Sequence, residues 1–197
     1  MAEKSGDGTM KPEVSQPTKE CPEPQLWQCY DEQTAEFEVL QFLQALVRTV
    51  KPRLMVETGS YRGIAACYIG MALKEVGRGK LITCEINHNM HEVILKQCAQ
   101  VLDVVECRNC SSLEMKVEGT IDILFADSEP EIRVSEIAHF WDQLTASSLI
   151  VVHDVNSGPH LGQRKRVLDL DQKRALSVVL LPTPRGLALC QKAQGRL

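Results

Sequence analysis

The segment from Leu54 to Leu73 constrains the fold more than any other part of the sequence. It begins with a short apolar run that ends in Glu57, passes through a turn with glycines at 59 and 63, and continues as a helical pattern of apolar residues. A strand, a tight loop and a helix in this order open a βαβ unit. Glycines in the loop let the backbone approach a ligand, because no Cβ stands in the way. The segment therefore predicts a parallel sheet with a ligand-binding site at the carboxyl end of its first strand.

The rest of the chain continues this alternation of strands and helices. Helices are predicted from Asp31 to the stop at Lys51-Pro52, and at Ile64–Val76, His88–Val101, Ile132–Leu144 and 163–171. Strands are predicted at Arg53–Glu57, Lys80–Cys84, Val104–Cys107, Ile121–Phe125, Ser148–Val152, Leu176–Leu181 and Gly186–Cys190. The pattern predicts an α/β fold, Rossmann-like and doubly wound, with a mostly parallel seven-stranded sheet, helices on both faces and a C-terminal antiparallel hairpin.

Composition limits the domain organisation and the partners. A chain of 197 residues with 44% hydrophobic residues fits one globular domain at 26–197, preceded by a polar, proline-containing arm at 1–25 that we expect to be flexible. The net charge of −4 disfavours nucleic acid as a partner. We expect no membrane association, because no apolar run reaches the length of a membrane span, and the eight cysteines without an export signal indicate a cytoplasmic protein.

Acidic residues follow four of the predicted strands. Glu57, Glu85, Asp127 and Asp154 each come within two residues of an apolar strand. Because the carboxyl ends of parallel strands meet at one edge of the sheet, we expect the four carboxylates to line one crevice. Glu85 lies 22 residues after Gly63, which suits an acid that accepts hydrogen bonds from a ribose diol.

The loop after the first strand discriminates between cofactors. Dinucleotide sites require G-x-G-x-x-G, whereas this loop has an acid at 57 and glycines at 59 and 63. An acid at this position repels a phosphate, so a nicotinamide-dependent oxidoreductase is disfavoured. A ligand with adenine, ribose and an amino group, such as S-adenosylmethionine (SAM), fits better.

These segments resemble a known family. Residues 56–63 (Val-Glu-Thr-Gly-Ser-Tyr-Arg-Gly) look like the first motif of class I SAM-dependent methyltransferases, in particular the catechol O-methyltransferase-like group that acts on small molecules. Residues 83–87, 123–127 and 149–154 resemble later motifs of that family. The resemblance implies SAM-dependent O-methylation of a small-molecule acceptor. It assigns the cofactor site to Glu57, Thr58, Gly59, Ser60, Tyr61, Gly63, Glu85, Ile86, Ser111 and Asp127.

Two further predictions concern catalysis. Asp127 and Asp154 match two acids that bind Mg²⁺ or another divalent cation in metal-dependent relatives, although Val155 stands where those relatives have Asn. A hydroxyl acceptor must also lose a proton. His153 is the one histidine at a strand end that faces the crevice, so it is the candidate base, with Asp127 as the other catalytic candidate.

Two other functions stay open. One is a non-catalytic SAM-binding module, and the other is a methyltransferase that acts on protein or RNA. A homodimer formed through the edge of the C-terminal hairpin is a further expectation.

Overall fold

The computed structural model describes residues 16–156, 161–173 and 175–193. Its helices are α1 Phe37–Val50, α2 Ile64–Val76, α3 His91–Gln97, α4 Arg133–His139 and α5 Leu161–Gln172, with 3₁₀ turns at His88–Met90 and Trp141–Gln143. Its strands are β1 Leu54–Thr58, β2 Lys80–Glu85, β3 Val105–Asn109, β4 Ile121–Ala126, β5 Leu144–His153, β6 Leu176–Leu181 and β7 Leu187–Lys192.

The seven strands form one sheet in the order β3-β2-β1-β4-β5-β7-β6. Neighbouring strands from β3 to β5 are parallel, and β7 is antiparallel to both β5 and β6. This topology confirms the predicted Rossmann-like α/β fold with its C-terminal hairpin. It also brings the β6–β7 turn to the carboxyl end of β5, because His153 pairs with Leu187 at the start of β7.

The core has one layer on each face of the sheet. Met55 points into a cluster with α1, α2 and α3, and the next residue, Val56, points into a cluster with α4 and α5. Alternation of this kind is what a strand buried on both faces requires. Within the described ranges, no helix is both long and apolar enough to span a membrane.

Local chemistry explains where the predicted element ends were wrong. Asp31 does not start α1, because its carboxylate accepts hydrogen bonds from the backbone N–H groups of Gln33 and Thr34 and so forms a turn. The predicted helix from His88 begins as a 3₁₀ turn capped by Asn87 and ends at Gln97. The helix predicted at Ile132–Leu144 covers only Arg133–His139, and β5 starts earlier than predicted, at Leu144.

The segment before α1 packs against the domain. Residues 16–35 contain no helix or strand, yet Cys21 and Cys29 in this segment are buried. Tyr30 contacts Tyr68 of α2 through the two hydroxyl groups, 2.5 Å apart. Of the arm predicted at 1–25, residues 1–15 lie outside the described residues, and residues 16–25 include the buried Cys21.

Candidate functional site

A cavity of about 550 Å³ lies at the carboxyl ends of β1, β2, β4 and β5. Glu85, Asp127 and Asp154 line it, as predicted, whereas Glu57 does not. The segment before α1 contributes Glu20, Glu32 and Gln33 to its wall. The volume suits a small-molecule ligand of cofactor size.

The turn after β1 brings backbone into the cavity. Gly59 and Gly63 both have left-handed φ values, +78° and +77°. A Cβ on Gly59 would lie 2.6 Å from the carbonyl oxygen of Asp127, so only glycine fits there. The N–H groups of Gly59 and Ser60 donate to the carbonyl of Cys84 at 3.0 and 2.9 Å, which ties the turn to β2.

Glu57 lies behind the cavity wall. It is 1% exposed, and it accepts a short hydrogen bond from the Thr83 hydroxyl, which also contacts the Ser60 hydroxyl. Burial raises the pKa of the Glu57 carboxyl to about 8, so this group is mostly protonated at neutral pH. Glu57 therefore holds the turn and β2 together, and its contacts do not place it at the ligand.

Glu85 ends β2 with its carboxylate fixed by two backbone groups. Oε2 accepts the N–H of Tyr61 at 2.9 Å, and Oε1 accepts the N–H of Asn87 at 2.8 Å. A carboxylate has about four lone-pair positions, so both oxygens can accept a further hydrogen bond from a ligand. Beside it, Ile86 is 74% exposed, and Ser111 lies on the cavity wall.

His153 is enclosed on both ring nitrogens. It is 0% exposed; Nδ1 lies 2.9 Å from Oδ1 of Asp127, and Nε2 lies 2.6 Å from Oε2 of Glu36. Burial favours the neutral ring, but the carboxylates of Asp127, Asp154 and Glu36 outweigh it and raise the pKa of His153 to about 10. A protonated, fully buried ring cannot accept a proton from a ligand. This geometry does not fit the predicted role of His153 as the base.

Two arginines surround the predicted metal ligands. Arg185 donates from Nε to Oδ1 of Asp154 at 2.5 Å and from Nη2 to Oδ2 at 3.1 Å. Arg133 donates to the same Oδ2 at 2.9 Å, and its Nη2 lies 3.3 Å from Oδ1 of Asp127. Although oxygens of Asp127 and Asp154 and a nitrogen of His153 lie within 4.8 Å of one another, guanidinium groups already contact both carboxylates. The residues present do not fit a divalent cation, which needs these oxygens as ligands.

Comparison with known proteins now identifies the family. Residues 56–155, just over half of the chain, match a family model described as a methyltransferase domain. The chain belongs to this methyltransferase family. The match confirms the predicted class, and it covers the cavity-lining residues from Gly59 to Asp154.

Individual relatives of this methyltransferase are distant in sequence. It is 22% identical to the caffeoyl-CoA O-methyltransferase of Eucalyptus gunnii over an alignment of 209 positions. The alignment covers 93% of this chain and 83% of the relative. Among solved structures, an S-adenosylhomocysteine (SAH)-bound methyltransferase from Podospora anserina gives a TM-score of 0.74 at 17% identity, over 83% of this chain and 81% of the other. An O-methyltransferase from Streptomyces achromogenes in complex with SAM gives 0.69 at 16% identity, over 83% of both chains. These structures share the fold.

The methyltransferase brings most of the predicted site residues to one cavity. Those on its wall are Gly59, Tyr61, Glu85, Ile86, Ser111, Asp127 and Asp154. Those that do not line it are Glu57, Thr58, Ser60, Gly63 and His153. Thr58 instead donates its hydroxyl to Glu136 at 2.8 Å, inside the core.

Sequence reasoning missed Glu36, Arg133 and Arg185. Arg133 lies six residues after Asp127, at the start of the next helix, and this spacing could have placed it at the same sheet edge. Arg185 lies in the β6–β7 turn, and its position follows once β7 is known to run antiparallel beside β5. No signal in the sequence marks Glu36.

Proposed function

We propose that this protein is a SAM-dependent methyltransferase that transfers a methyl group to an oxygen of a small-molecule acceptor. The family match supports methyl transfer. The O-methyltransferases of Eucalyptus gunnii and Streptomyces achromogenes support oxygen as the acceptor atom. The cavity supports a small acceptor, because its volume is about 550 Å³ and the segment before α1 forms part of its wall.

The observation that carries the proposal is the geometry of Glu85. Its carboxylate is held at the end of β2 by the N–H groups of Tyr61 and Asn87, and it faces the cavity. An acid fixed in this way can accept both hydroxyls of a ribose. Ile86 then offers an exposed apolar surface to the adenine, and Ser111 offers a hydroxyl at the adenine edge.

The other end of the cofactor would lie along the turn at Gly59, where the backbone approaches Asp127. SAM supplies an activated methyl group on a sulfonium, and the protein mainly orients the two reactants and excludes water. Asp127 lines the cavity near this turn and is the group best placed to hold the acceptor hydroxyl or to accept its proton. We therefore propose Asp127, rather than His153, as the catalytic residue.

Calorimetric titration of SAM and SAH tests the cofactor. We expect micromolar binding to the wild type and at least a tenfold loss in Glu85→Ala. Glu92→Ala is the matched control, because Glu92 is an exposed acid on α3 that does not line the cavity. Failure of the wild type to bind either compound would disprove the proposal.

A second candidate is a SAM-binding module without catalysis. The observation in its favour is that both ring nitrogens of His153 are occupied, so that no imidazole base is available among the described residues that line the cavity. Release of SAH from SAM in the presence of a panel of phenols and catechols would support transfer. Tight SAM binding without turnover on that panel, or on protein and RNA substrates, would support the binding module.

Two further proposals concern the cellular location and the assembly of the protein. We propose a cytoplasmic protein, because all eight cysteines are free, which suits a reducing compartment. Homodimerisation through the β6 edge, where Val179 is 59% exposed, stays a prediction that sedimentation analysis would test.

A further inference from the structure

Arg133 and Arg185 lie where a metal ion would bind the two acids at the ends of β4 and β5. Their guanidinium groups contact Asp154 through both carboxylate oxygens and reach Asp127. We propose that these two arginines take the place of the divalent cation, so that the site is built for metal-independent methyl transfer. The replacement of the cation by the arginines is a property of the site alone, whereas metal-independent methyl transfer rests on the proposed function.

The charges of the four residues balance without an added ion. Two carboxylates face two guanidiniums, and a guanidinium keeps its charge over the whole working range of pH. Arg133 is 2% exposed and Arg185 is 8% exposed, so solvent screens these charges little. A divalent cation at the carboxylates would lie within a few ångströms of both guanidiniums, and it would have to displace at least one of them.

The surrounding structure holds both arginines in place. Arg133 donates from Nε to the carbonyl of Ser128 at 2.8 Å, and its Nη2 donates to the same oxygen. Its Nη1 donates to the carbonyl of His153. Arg185 donates from Nη1 to the carbonyl of Thr34 at 2.9 Å. Backbone carbonyls on three separate segments therefore fix the guanidiniums. Neither side chain can swing aside for an ion without leaving buried polar groups unpaired.

The contacts around Asp127 also indicate which kind of acceptor the site can bind. His153 and Arg133 both contact Oδ1 of Asp127, and no hydrogen bond from a described residue reaches Oδ2, so we expect Oδ2 to bind the ligand. An acceptor would be held through a hydrogen bond from one hydroxyl to that oxygen. A bound metal would instead favour acceptors with two adjacent oxygens that chelate it. Arg133 and Arg185 would thus act as positioning residues that fix Asp154 and Asp127 beside a singly hydroxylated acceptor.

Titration with Mn²⁺, read by electron paramagnetic resonance, tests the proposal in the 197-residue protein freed of metal by chelation. We expect the Mn²⁺ titrations of the wild type and of Asp127→Asn to be alike, with or without saturating SAH. Neither protein should show a site that binds one Mn²⁺ ion per chain. A saturable one-to-one site in the wild type that is lost in Asp127→Asn would overturn the proposal. This arm needs only wild type and one conservative variant.

A second arm asks whether removing the built-in cation creates a metal site. Arg185→Ala leaves Asp154 short of a partner, so Mn²⁺ at 100 times its Kd should raise the melting temperature of this variant by about 5–10 °C. Wild type, Arg185→Lys and the surface variant Arg48→Ala should shift by less than about 1 °C under the same conditions. An equal shift in wild type and Arg185→Ala would count against the proposal. If Arg185→Ala does not fold, the Mn²⁺ titration of the wild type decides alone.

The two proposals fail in different ways. If SAH binds and the wild type also holds Mn²⁺ at Asp127, the metal-independent site is wrong and the methyltransferase function stands. If SAH does not bind, the methyltransferase function is lost, and the Mn²⁺ titration still reports on the arginines.

Discussion

Arg185 and Asp154 form a two-point ion pair that joins the β6–β7 turn to the end of β5, with Nε 2.5 Å from Oδ1 and Nη2 3.1 Å from Oδ2. Parallel, two-point contact of a guanidinium with a carboxylate is a strong form of ion pair in proteins. The burial of both side chains removes the screening that weakens surface pairs. Together with Arg133, the pair joins the end of β5 to the β6–β7 turn and to the start of α4.

Removal of Arg133 should destabilise the fold far more than removal of a surface arginine. Arg133→Met leaves buried Asp154 and the carbonyls of Ser128 and His153 short of donors, at a cost of about 3–5 kcal/mol. Arg48→Met breaks only the exposed pair with Glu75, which contributes about 1 kcal/mol or less. Urea unfolding of the two variants and the wild type measures the difference. Equal losses in the two variants would contradict the buried role of Arg133.

The protonated carboxyl of Glu57 should make stability depend on pH. Its pKa of about 8 in the folded chain lies above the ordinary value of 4.5, so the folded state holds this proton after the unfolded state has released it. The contribution is complete below pH 4.5 and is lost as the pH rises towards 8, by at most about 1.4 kcal/mol per pH unit. Glu57→Gln should flatten this decline in a series of unfolding curves between pH 5 and 8. The exposed variant Glu75→Gln should keep the wild-type slope, and a Glu57→Gln slope equal to that of the wild type would show that Glu57 is charged.

Alanine at Gly59 should disturb the site, whereas alanine at Gly77 should only strain the backbone. Both glycines have left-handed φ values, +78° and +73°. A Cβ at Gly59 would collide with the backbone of Asp127 and Ser128, but a Cβ at Gly77 meets nothing within 4 Å. Gly77→Ala should therefore cost about 1–2 kcal/mol and leave SAH affinity unchanged. Gly59→Ala should cost more and weaken SAH binding at least tenfold by calorimetry; SAH affinity unchanged in Gly59→Ala would mean that this turn is remote from the ligand.

Asparagine at Asp127 should separate catalysis from cofactor binding. Asp127→Asn keeps the size of the side chain and removes the negative charge that faces the cavity. We expect kcat to fall by about 100-fold or more, as loss of a catalytic acid–base group does, with SAH affinity changed by less than about threefold. Asp142→Asn, an exposed change outside the cavity, is the control. Turnover of Asp127→Asn at the wild-type rate would rule out Asp127 as the catalytic residue.

Sequence alone predicted the sheet well and the site only in part. Periodicity located all seven strands, and the strand at Leu176–Leu181 was placed to the residue. The positions of Glu85 and Asp127 on the cavity wall were predicted, because the end of a parallel strand fixes where the next side chain lies. The roles of Glu57 and His153 were not, because a strand end does not reveal whether a side chain turns towards the cavity or into the core. That choice depends on partners such as Thr83 and Glu36 that are distant along the chain.

The bond between Glu36 and Arg185 bears on how the protein is made. The N–H of Arg185 donates to Glu36 across 149 residues of sequence, and the Arg185 side chain reaches Asp154 across 31 residues. Contacts of such separation form late in folding, because the loop they close is long. At about 5–20 residues per second, a ribosome needs about 2–6 seconds to proceed from Asp154 to Arg185. Between the synthesis of these two residues, Asp154 lacks one of its two guanidinium partners.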